Sequence, residues 1–226
     1  MAPIKLLHRN SFAHGVHLPE FKEITEDKSI RRLPFAPEMV IQLSQHLGAP
    51  ATPLVREGQE VVRGEPIAAP GGFVSVPMHA PATGRIKGLA PTTNVRGQLV
   101  PSIILDVYSG ATQEVLYGAP MNPASMTPKE IIKAVQDTGM VGLGGAAFPT
   151  HVKMAVPEGK LVDTILVNGC ECEPYLTCDH RIMLEKIKEI ILGINLAARA
   201  VEAREVIVGI EDNKPGAVEA IREASE

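Results

Sequence analysis

Two patterns of hydrophobic positions divide the chain, and each predicts a different kind of domain. Between residues 37 and 112, short β-branched runs such as Val61-Val62 and Ile103-Ile104 are interrupted every few residues by glycine or proline. Such a pattern is typical of a small domain made of short strands and tight turns. Beyond residue 127, the apolar residues follow the spacing of amphipathic helices and buried strands, which predicts an α/β domain.

The α/β half begins with a helix start signal. Thr127 and Glu130 form a capping-box pattern with Pro128 at the first helical position, and Gly139 is expected to end the helix. The elements that follow are a strand over residues 162–167, a helix over 181–203, a strand over 205–210 and a helix from Pro215. This alternation favours a parallel sheet. Because stable sheets of this kind have more than two strands, the sequence predicts a truncated domain.

The chain is therefore predicted to have two domains and a mixed α+β/α/β fold class. A length of 226 residues suits two domains of about 100 residues each. The predicted segments are an irregular N-terminal arm (residues 1–36), the β domain (37–112), a linker (113–126) and the first part of the α/β domain (127–226).

Composition and charge narrow the class of protein. With 45% hydrophobic and 21% charged residues, the chain has the balance of a globular protein, which excludes a disordered or fibrous one. No apolar run approaches the roughly 20 residues of a membrane-spanning helix, and the N-terminus lacks the apolar core of a signal peptide. A net charge of −4 and an aromatic content of 4% argue against nucleic acid as a partner. We expect a soluble, cytoplasmic protein.

A glycine-rich segment over residues 142–153 is the first candidate site. Gly142, Gly144 and Gly145 allow close approach to the backbone, whose N–H groups can cradle a phosphate or lie against a flat ring. Lys153 adds a mobile cation a few residues later. Taken alone, the segment is equally compatible with a tight turn between two helices.

A polar segment after the first predicted strand of the α/β domain is the second candidate site. The sequence runs Asn-Gly-Cys-Glu-Cys-Glu-Pro-Tyr from Asn168 to Tyr175. Parallel sheets bind ligands at the carboxyl ends of their strands, where this segment is predicted to lie. Glu171 and Glu173 are carboxylates that can accept from hydroxyls and amides, and Asn168 can both donate and accept.

The β domain resembles the lipoyl/biotinyl type of barrel-sandwich hybrid. The resemblance rests on residues 54–67 and 75–86, where glycines stand at the turns between inward-facing valines. Carrier members of that family attach their cofactor to a lysine at a hairpin tip, and no lysine occurs between Ala69 and Met78. We therefore interpret this domain as a structural or docking module.

A covalently attached flavin is a further interpretation of one short segment. Residues 106–112, Asp-Val-Tyr-Ser-Gly-Ala-Thr, look like the motif in which a threonine carries a flavin through a phosphoester. That chemistry occurs on exported domains, whereas this sequence shows no export signal. We interpret the segment as a surface turn after the last strand of the β domain.

Taken together, the two candidate segments resemble a known family. Gly-Leu-Gly-Gly-Ala-Ala-Phe-Pro-Thr (142–150), Asn-Gly-Cys-Glu-Cys-Glu-Pro-Tyr (168–175), Asp-His-Arg (179–181) and Ile-Arg-Arg-Leu-Pro (30–34) fit the pattern of the RnfC family. Members of this family are the RnfC subunits of Rnf-type ion-translocating electron-transport complexes, and they are related to the FMN- and NADH-binding subunit of respiratory complex I. The resemblance covers essentially the whole chain. It implies a barrel-sandwich hybrid followed by a Rossmann-like parallel α/β FMN-binding domain.

The resemblance also implies roles for individual residues in flavin binding. The backbone at Gly142, Gly144 and Gly145 would flank FMN, and Lys153 would bind it. The flavin or its ribityl chain would contact three further residues, namely Asn168, Cys170 and Glu171.

For the nicotinamide substrate, the resemblance implies that Phe148 stacks on NADH and that Glu173 accepts from its hydroxyls. A packing role for Phe148 within its own loop remains an alternative. Two positions depart from the complex I pattern. Leu143 stands where complex I has an arginine, and Cys170 stands where it has an aspartate, so one cation and one polar contact are in question.

The three cysteines do not match an iron–sulfur motif. Cys170, Cys172 and Cys178 lack the Cys-x-x-Cys-x-x-Cys spacing of ferredoxins and a fourth ligand. We predict no metal site in this chain and interpret the thiols as small residues that pack around the flavin loop. The resemblance places two 4Fe-4S clusters in the full-length protein, outside these residues.

The function implied by the resemblance is electron transfer between NADH and ferredoxin through FMN. The protein would be a peripheral subunit on the cytoplasmic face of the bacterial inner membrane. Its partners would be the other subunits of the Rnf complex and NAD(H), with ferredoxin reached indirectly. Two alternatives remain open, a non-catalytic docking or assembly module and a soluble RnfC-like flavoprotein reductase. The coupling ion and the electron direction also remain open.

Overall fold

A computed structural model describes residues 4–6 and 19–225. Residues 1–3 and 7–18 of the predicted N-terminal arm lie outside the described residues. The strands are β1 (Ile4–Leu6), β2 (Glu38–Gln42), β3 (Thr52–Pro53), β4 (Glu60–Val61), β5 (Pro66–Ala69), β6 (Met78–His79), β7 (Gly84–Thr93), β8 (Leu99–Val107), β9 (Thr164–Asn168) and β10 (Glu205–Gly209). The helices are α1 (Pro128–Asp137), α2 (Thr150–Met154), α3 (Cys178–Glu185), α4 (Ile187–Ala200) and α5 (Pro215–Ser225).

The chain forms two compact units. The β unit comprises residues 33–155, and the α/β unit comprises residues 1–32 and 156–226. Helices α1 and α2 therefore lie in the β unit together with the short strands. The domain boundaries drawn from the sequence stay a prediction about the intact fold.

The β unit is built from two antiparallel sheets. Their strand orders are β2-β8-β7-β4 and β3-β5-β6. Ile67, Ile86, Ile103 and Leu105 are almost fully buried in one apolar cluster, to which both sheets contribute. This arrangement confirms the prediction of short strands and tight turns, because apolar residues from both sheets fill a single core.

Gly84 provides a test of how tightly this unit is packed. A Cβ atom at Gly84 would overlap the carbonyl oxygen of Asp106 on the paired strand, whereas a Cβ at Gly88 on the same strand would meet nothing within 4 Å. We expect Gly84→Ala to lower the free energy of unfolding by about 2 kcal/mol, because the backbone has to shift to make room. Urea unfolding measures this effect. Gly88→Ala is the matched control, and an equal loss in both variants would contradict the packing argument.

Helix α1 begins and ends where the sequence predicts. The Thr127 backbone N–H donates to the Glu130 carboxylate at 2.7 Å, and the Glu130 N–H donates to the Thr127 hydroxyl at 3.4 Å. Gly139 follows the helix with a φ of 72°, in the left-handed region that terminates helices. The capping box is thus confirmed.

The α/β unit contains a three-stranded parallel sheet in the order β1-β10-β9. The prediction of two strands was one short, because β1 lies in the arm that was predicted to be irregular. Ile4 pairs with Val206, and Val206 pairs with Ile165 on the other side. A three-residue strand is too short to give a hydrophobic period, which explains why the sequence did not show it.

Helices pack on this sheet through a second apolar cluster. Val206 and Val208 of β10 are buried together with Ile194 and Ala198 of α4 and Ile221 of α5. The Rossmann-like arrangement of the intact domain stays a prediction. Among the described residues, no helix is both long and apolar enough to cross a membrane.

The predicted helix over residues 181–203 is in fact two helices. Lys186 separates α3 from α4 with a φ of −132° and a ψ of 32°, outside the helical region. The surrounding sequence contains neither glycine nor proline, so no local signal marks this break. Helix α3 also begins three residues earlier than predicted, at Cys178.

Candidate functional site

The glycine-rich loop of the β unit is closed at its base. Val141 and Pro149 form an isolated antiparallel bridge, and the Gly142 N–H donates to the Phe148 carbonyl at 2.9 Å. The residues between these contacts therefore form a loop whose two ends are held together. The predicted turn exists, and it is a closed backbone loop rather than a simple helix-to-helix connection.

The exposed top of this loop is free of side chains. A Cβ atom at Gly144 or Gly145 would meet nothing within 4 Å, and Leu143 is 88% exposed. Ala147 has a φ of 51°, and its carbonyl accepts from the Leu47 N–H at 3.2 Å, so one side of the loop is fixed to the sandwich. A fixed loop with a bare upper surface leaves room for a planar ligand to lie against the backbone.

Lys153 and Phe148 lie beside the same loop. The Lys153 ammonium nitrogen is 3.0 Å from the position that a Cβ on Gly142 would occupy. A cation thus stands directly against the loop backbone. Phe148 is half-buried, so its ring is neither fully packed nor fully available. The structure therefore brings together Gly142, Gly144, Gly145, Phe148 and Lys153 of the predicted site.

His151 anchors the helix that carries Lys153, and the sequence analysis missed it. This histidine is 2% exposed, and its Nε2 lies 2.9 Å from the Phe73 carbonyl. Its ring also meets the Phe73 ring edge-on, with 5.8 Å between the centroids. No sequence feature distinguishes this histidine from a solvated one.

The polar loop of the α/β unit begins at the carboxyl end of β9. The Asn168 side-chain oxygen accepts from the Cys170 N–H at 3.0 Å, and the Gly169 N–H donates to the Gly209 carbonyl at 2.8 Å. Asn168 therefore shapes the start of the loop and keeps its side-chain amide N–H groups for other partners. Cys170 is exposed next to it.

Glu171 points inward and caps helix α3. Its side chain is buried, with 3% of the residue exposed, and one carboxylate oxygen accepts from the Asp179 N–H at 2.8 Å and from the Cys178 thiol at 3.2 Å. A carboxylate at a helix N-terminus satisfies free N–H groups and interacts favourably with the helix dipole. The other oxygen, Oε2, is buried and has no hydrogen-bond partner among the described residues.

The surroundings of Glu171 keep it ionised. Burial raises the pKa of its carboxyl, but the Asp179 N–H, the Cys178 thiol and the Lys22 charge together outweigh burial, so the pKa is lowered. Asp179 shows the opposite result. Burial and the neighbouring carboxylates of Glu171 and Glu173 raise the pKa of Asp179.

Lys22 holds the same loop from below, and the sequence analysis missed it as well. The residue is 6% exposed, and its ammonium donates to the carbonyls of Glu171, of Glu173 at 3.2 Å and of Leu176 at 2.9 Å. The sequence around Lys22 has no periodicity and no motif spacing that would reveal this role.

The three cysteines are free thiols. Burial is the main cause that raises the pKa of Cys170 and of Cys178, so neither is an activated thiolate. Within the described ranges, one group of potential metal ligands comprises Glu171, Cys178 and Asp179, whose ligand atoms lie within 4.8 Å of one another. This donor set differs from the all-cysteine set that holds 4Fe-4S clusters.

Two family models match the chain, in the order of the two predicted domains. The RnfC barrel sandwich hybrid domain matches residues 10–109. The Nuo51 FMN-binding domain matches residues 135–226, a stretch that contains both candidate loops. These matches confirm a barrel-sandwich hybrid domain followed by an FMN-binding domain.

Several curated proteins, each the RnfC-type subunit of its complex, are similar to the chain over nearly its whole length. The subunit from the Na(+)-translocating ferredoxin:NAD(+) oxidoreductase complex of Acetobacterium woodii is 39% identical, over 95% of this chain and 48% of that protein. Its counterpart from the proton-translocating ferredoxin:NAD(+) oxidoreductase complex of Clostridium ljungdahlii is 37% identical, over 96% of this chain and 47% of that protein. The counterpart from the ion-translocating oxidoreductase complex of Haemophilus influenzae is 38% identical, over 94% of this chain and 32% of that protein. The chain thus spans less than half the length of these relatives.

Proposed function

The chain belongs to the RnfC family, and from this we propose that it is part of a peripheral subunit of a membrane-bound, ion-translocating electron-transport complex. The intact subunit passes electrons between NADH and ferredoxin through FMN and downstream 4Fe-4S clusters. Its partners are the other subunits of the complex and NAD(H), with ferredoxin reached indirectly. Its place is the cytoplasmic face of the bacterial inner membrane.

One observation carries the flavin part of this proposal. The stretch that matches an FMN-binding domain contains a fixed glycine loop with a bare upper surface at Gly144 and Gly145. A side chain at either position would fill the space that a flat ring needs. Glycine at both positions is therefore what a flavin site requires and what a simple turn does not.

The other residues around the two loops fit the chemistry of FMN. Lys153 supplies a cation against the glycine loop, which suits a phosphate or an electron-rich ring. Glu171 supplies a buried carboxylate oxygen without a partner among the described residues, which suits a hydroxyl of the ribityl chain. Asn168 and Cys170 are proposed as further contacts at the start of the polar loop, where the Asn168 amide can donate.

NADH is proposed to bind through Phe148 and Glu173. Phe148 is half-buried and offers a ring face for stacking, and Glu173 is exposed and can accept from hydroxyls. FMN, when bound, supplies the conversion between two-electron and one-electron transfer. The contribution of this chain is to bind and orient the flavin and its substrate.

A non-catalytic assembly module is the second candidate function. Leu143 is 88% exposed where the complex I subunit has a cation, and Cys170 is an exposed thiol where that subunit has a carboxylate. The hairpin between β5 and β6 also lacks a carrier lysine. In this alternative, the sandwich docks onto other subunits and no flavin binds.

Substitution in the glycine loop separates the two functions. We expect Gly144→Val in the full-length subunit to fold normally, since nothing lies within 4 Å of the new Cβ. The variant should nevertheless lose FMN affinity by about 100-fold, because the side chain occupies the space of the ring; such a loss corresponds to roughly 3 kcal/mol. Flavin fluorescence during an FMN titration measures the affinity.

Gly110→Val is the matched control, since a Cβ there also meets nothing within 4 Å and the position lies outside both candidate loops. The control is expected to bind FMN as tightly as the wild type. Absence of FMN binding to the wild-type subunit would favour the assembly module. Equal affinities of all three proteins would show that flavin binds elsewhere.

A further inference from the structure

The ammonium group of Lys22 is fully used inside the polar loop. It donates to three backbone carbonyls, those of Glu171, Glu173 and Leu176. A lysine ammonium carries three N–H donors, so these carbonyls account for all of them. The loop from Glu171 to Leu176 is thus folded around one buried cation.

The residues next to Lys22 embrace the same loop. The Tyr175 N–H donates to the Glu20 carbonyl at 2.8 Å, and the rings of Phe21 and Tyr175 stack with 5.0 Å between their centroids. Phe21 and Tyr175 have φ angles of 53° and 68°, a left-handed conformation that costs free energy in residues other than glycine. The two strained residues therefore meet where the two segments are in contact.

A cation is the group that this arrangement requires. Three carbonyl dipoles converge on the Lys22 nitrogen in a place with little access to water. An apolar side chain of the same length would leave these acceptors without donors, which costs about 1–3 kcal/mol for each buried group. The loop would then open toward water to satisfy its carbonyls.

The Lys22 charge also acts on Glu171. The groups that face the Glu171 carboxylate are Lys22, the Cys178 thiol, and the backbone N–H groups of Asp179 and His180. Asp179 adds a nearby negative charge. Among the residues whose charge affects Glu171, Lys22 is the cation, and it favours the ionised carboxylate.

We propose that Lys22 is a positioning residue of the flavin and NADH site. Its ammonium fixes the loop so that Glu171 keeps its inward position and Glu173 presents its carboxylate outward. Lys22 itself touches neither FMN nor NADH. This inference rests on the proposed function, because it assigns to Lys22 the geometry of a loop that is proposed to bind FMN.

The test compares Lys22→Met with Lys28→Met in the full-length subunit. Lys28 is an exposed lysine in the same segment, so its variant controls for the loss of one positive charge. We expect Lys22→Met to weaken FMN binding by about tenfold, the effect of about 1.4 kcal/mol. Lys28→Met should stay within about twofold of the wild type, a difference of roughly 0.4 kcal/mol.

A pH profile provides a measurement that a purely structural role would not change. FMN affinity should fall at low pH as Glu171 takes up a proton, and without the Lys22 charge this fall should begin at a higher pH. Lys22→Arg keeps the charge and is expected to return the profile toward that of the wild type. If Lys22→Met does not fold, Lys22→Gln replaces it in the same profile.

The outcomes separate this inference from the proposed function. A wild-type subunit that does not bind FMN overturns both. A wild-type subunit that binds FMN, together with a folded Lys22 variant of equal affinity and unchanged pH profile, overturns the role of Lys22 alone. Weaker binding with a shifted profile supports it.

Discussion

Glu171→Ala is expected to lower the free energy of unfolding of the α/β unit by about 3 kcal/mol, as is typical when one partner of a buried ionic group is removed. The substitution leaves the Asp179 N–H and the Cys178 thiol without their shared acceptor. It also leaves the Lys22 ammonium buried without a neighbouring carboxylate. Urea unfolding followed by far-ultraviolet circular dichroism measures the loss.

Glu173→Ala is the matched control for this measurement. Glu173 is exposed two residues further along the same loop, and its side chain caps no helix. We expect a change within about 0.5 kcal/mol, as for most surface substitutions. A loss of stability as large as that of Glu171→Ala would mean that the buried carboxylate has no special role.

The stability supplied by Glu171 should also depend on pH. Its pKa is lower in the folded protein than in the unfolded chain, so the folded state favours the ionised form. The contribution is therefore present above the unfolded pKa, about 4.3, and is lost as the pH falls through the folded value. In Glu171→Ala this part of the acid sensitivity should disappear.

The second large effect is expected for NADH rather than for stability. Glu173→Ala in the full-length subunit should lower kcat/KM for NADH by about 10- to 100-fold, because a charged acceptor of hydroxyl groups contributes about 1.5–3 kcal/mol. FMN affinity should stay within about twofold of the wild type, a change of roughly 0.4 kcal/mol. Steady-state kinetics with NADH and an FMN titration measure the two quantities separately.

Glu158→Ala controls for the loss of one negative charge, since Glu158 is an exposed glutamate outside both candidate loops. It is expected to leave both quantities unchanged. An equal loss of NADH use and FMN binding in Glu173→Ala would contradict the role proposed for Glu173, since it would indicate a general collapse of the loop.

Local signals made much of the fold predictable. The capping box at Thr127 and the helix end at Gly139 depend on a few adjacent residues, and both are confirmed. The β10 strand also matches its prediction closely, because a run of five apolar or small residues between polar ones is typical of a buried strand. Such features are encoded within one turn or one strand.

Contacts between distant parts of the sequence were not predictable in the same way. Lys22 meets Glu171 across 149 positions, and His151 meets Phe73 across 78 positions. Each of these side chains looks like an ordinary surface residue in its own segment. Their roles come from burial against a loop elsewhere in the chain, which a single sequence does not encode locally.

The candidate site was predictable as a set of residues but not as a geometry. The two loops stood out because glycines and alternating carboxylates are unusual at such spacing. The inward position of Glu171 and its cap on α3 were missed, because the helix begins at Cys178 rather than at Arg181. The residue roles taken from the family resemblance stay predictions.

Anaerobic reduction of bound flavin by NADH tests the central claim most directly. The full-length subunit is loaded with FMN, freed of excess cofactor and mixed with NADH, while the flavin absorbance is followed. The account predicts that about one FMN binds per subunit and that NADH bleaches it. A subunit that binds no FMN, or one whose bound FMN stays oxidised with NADH, would contradict it.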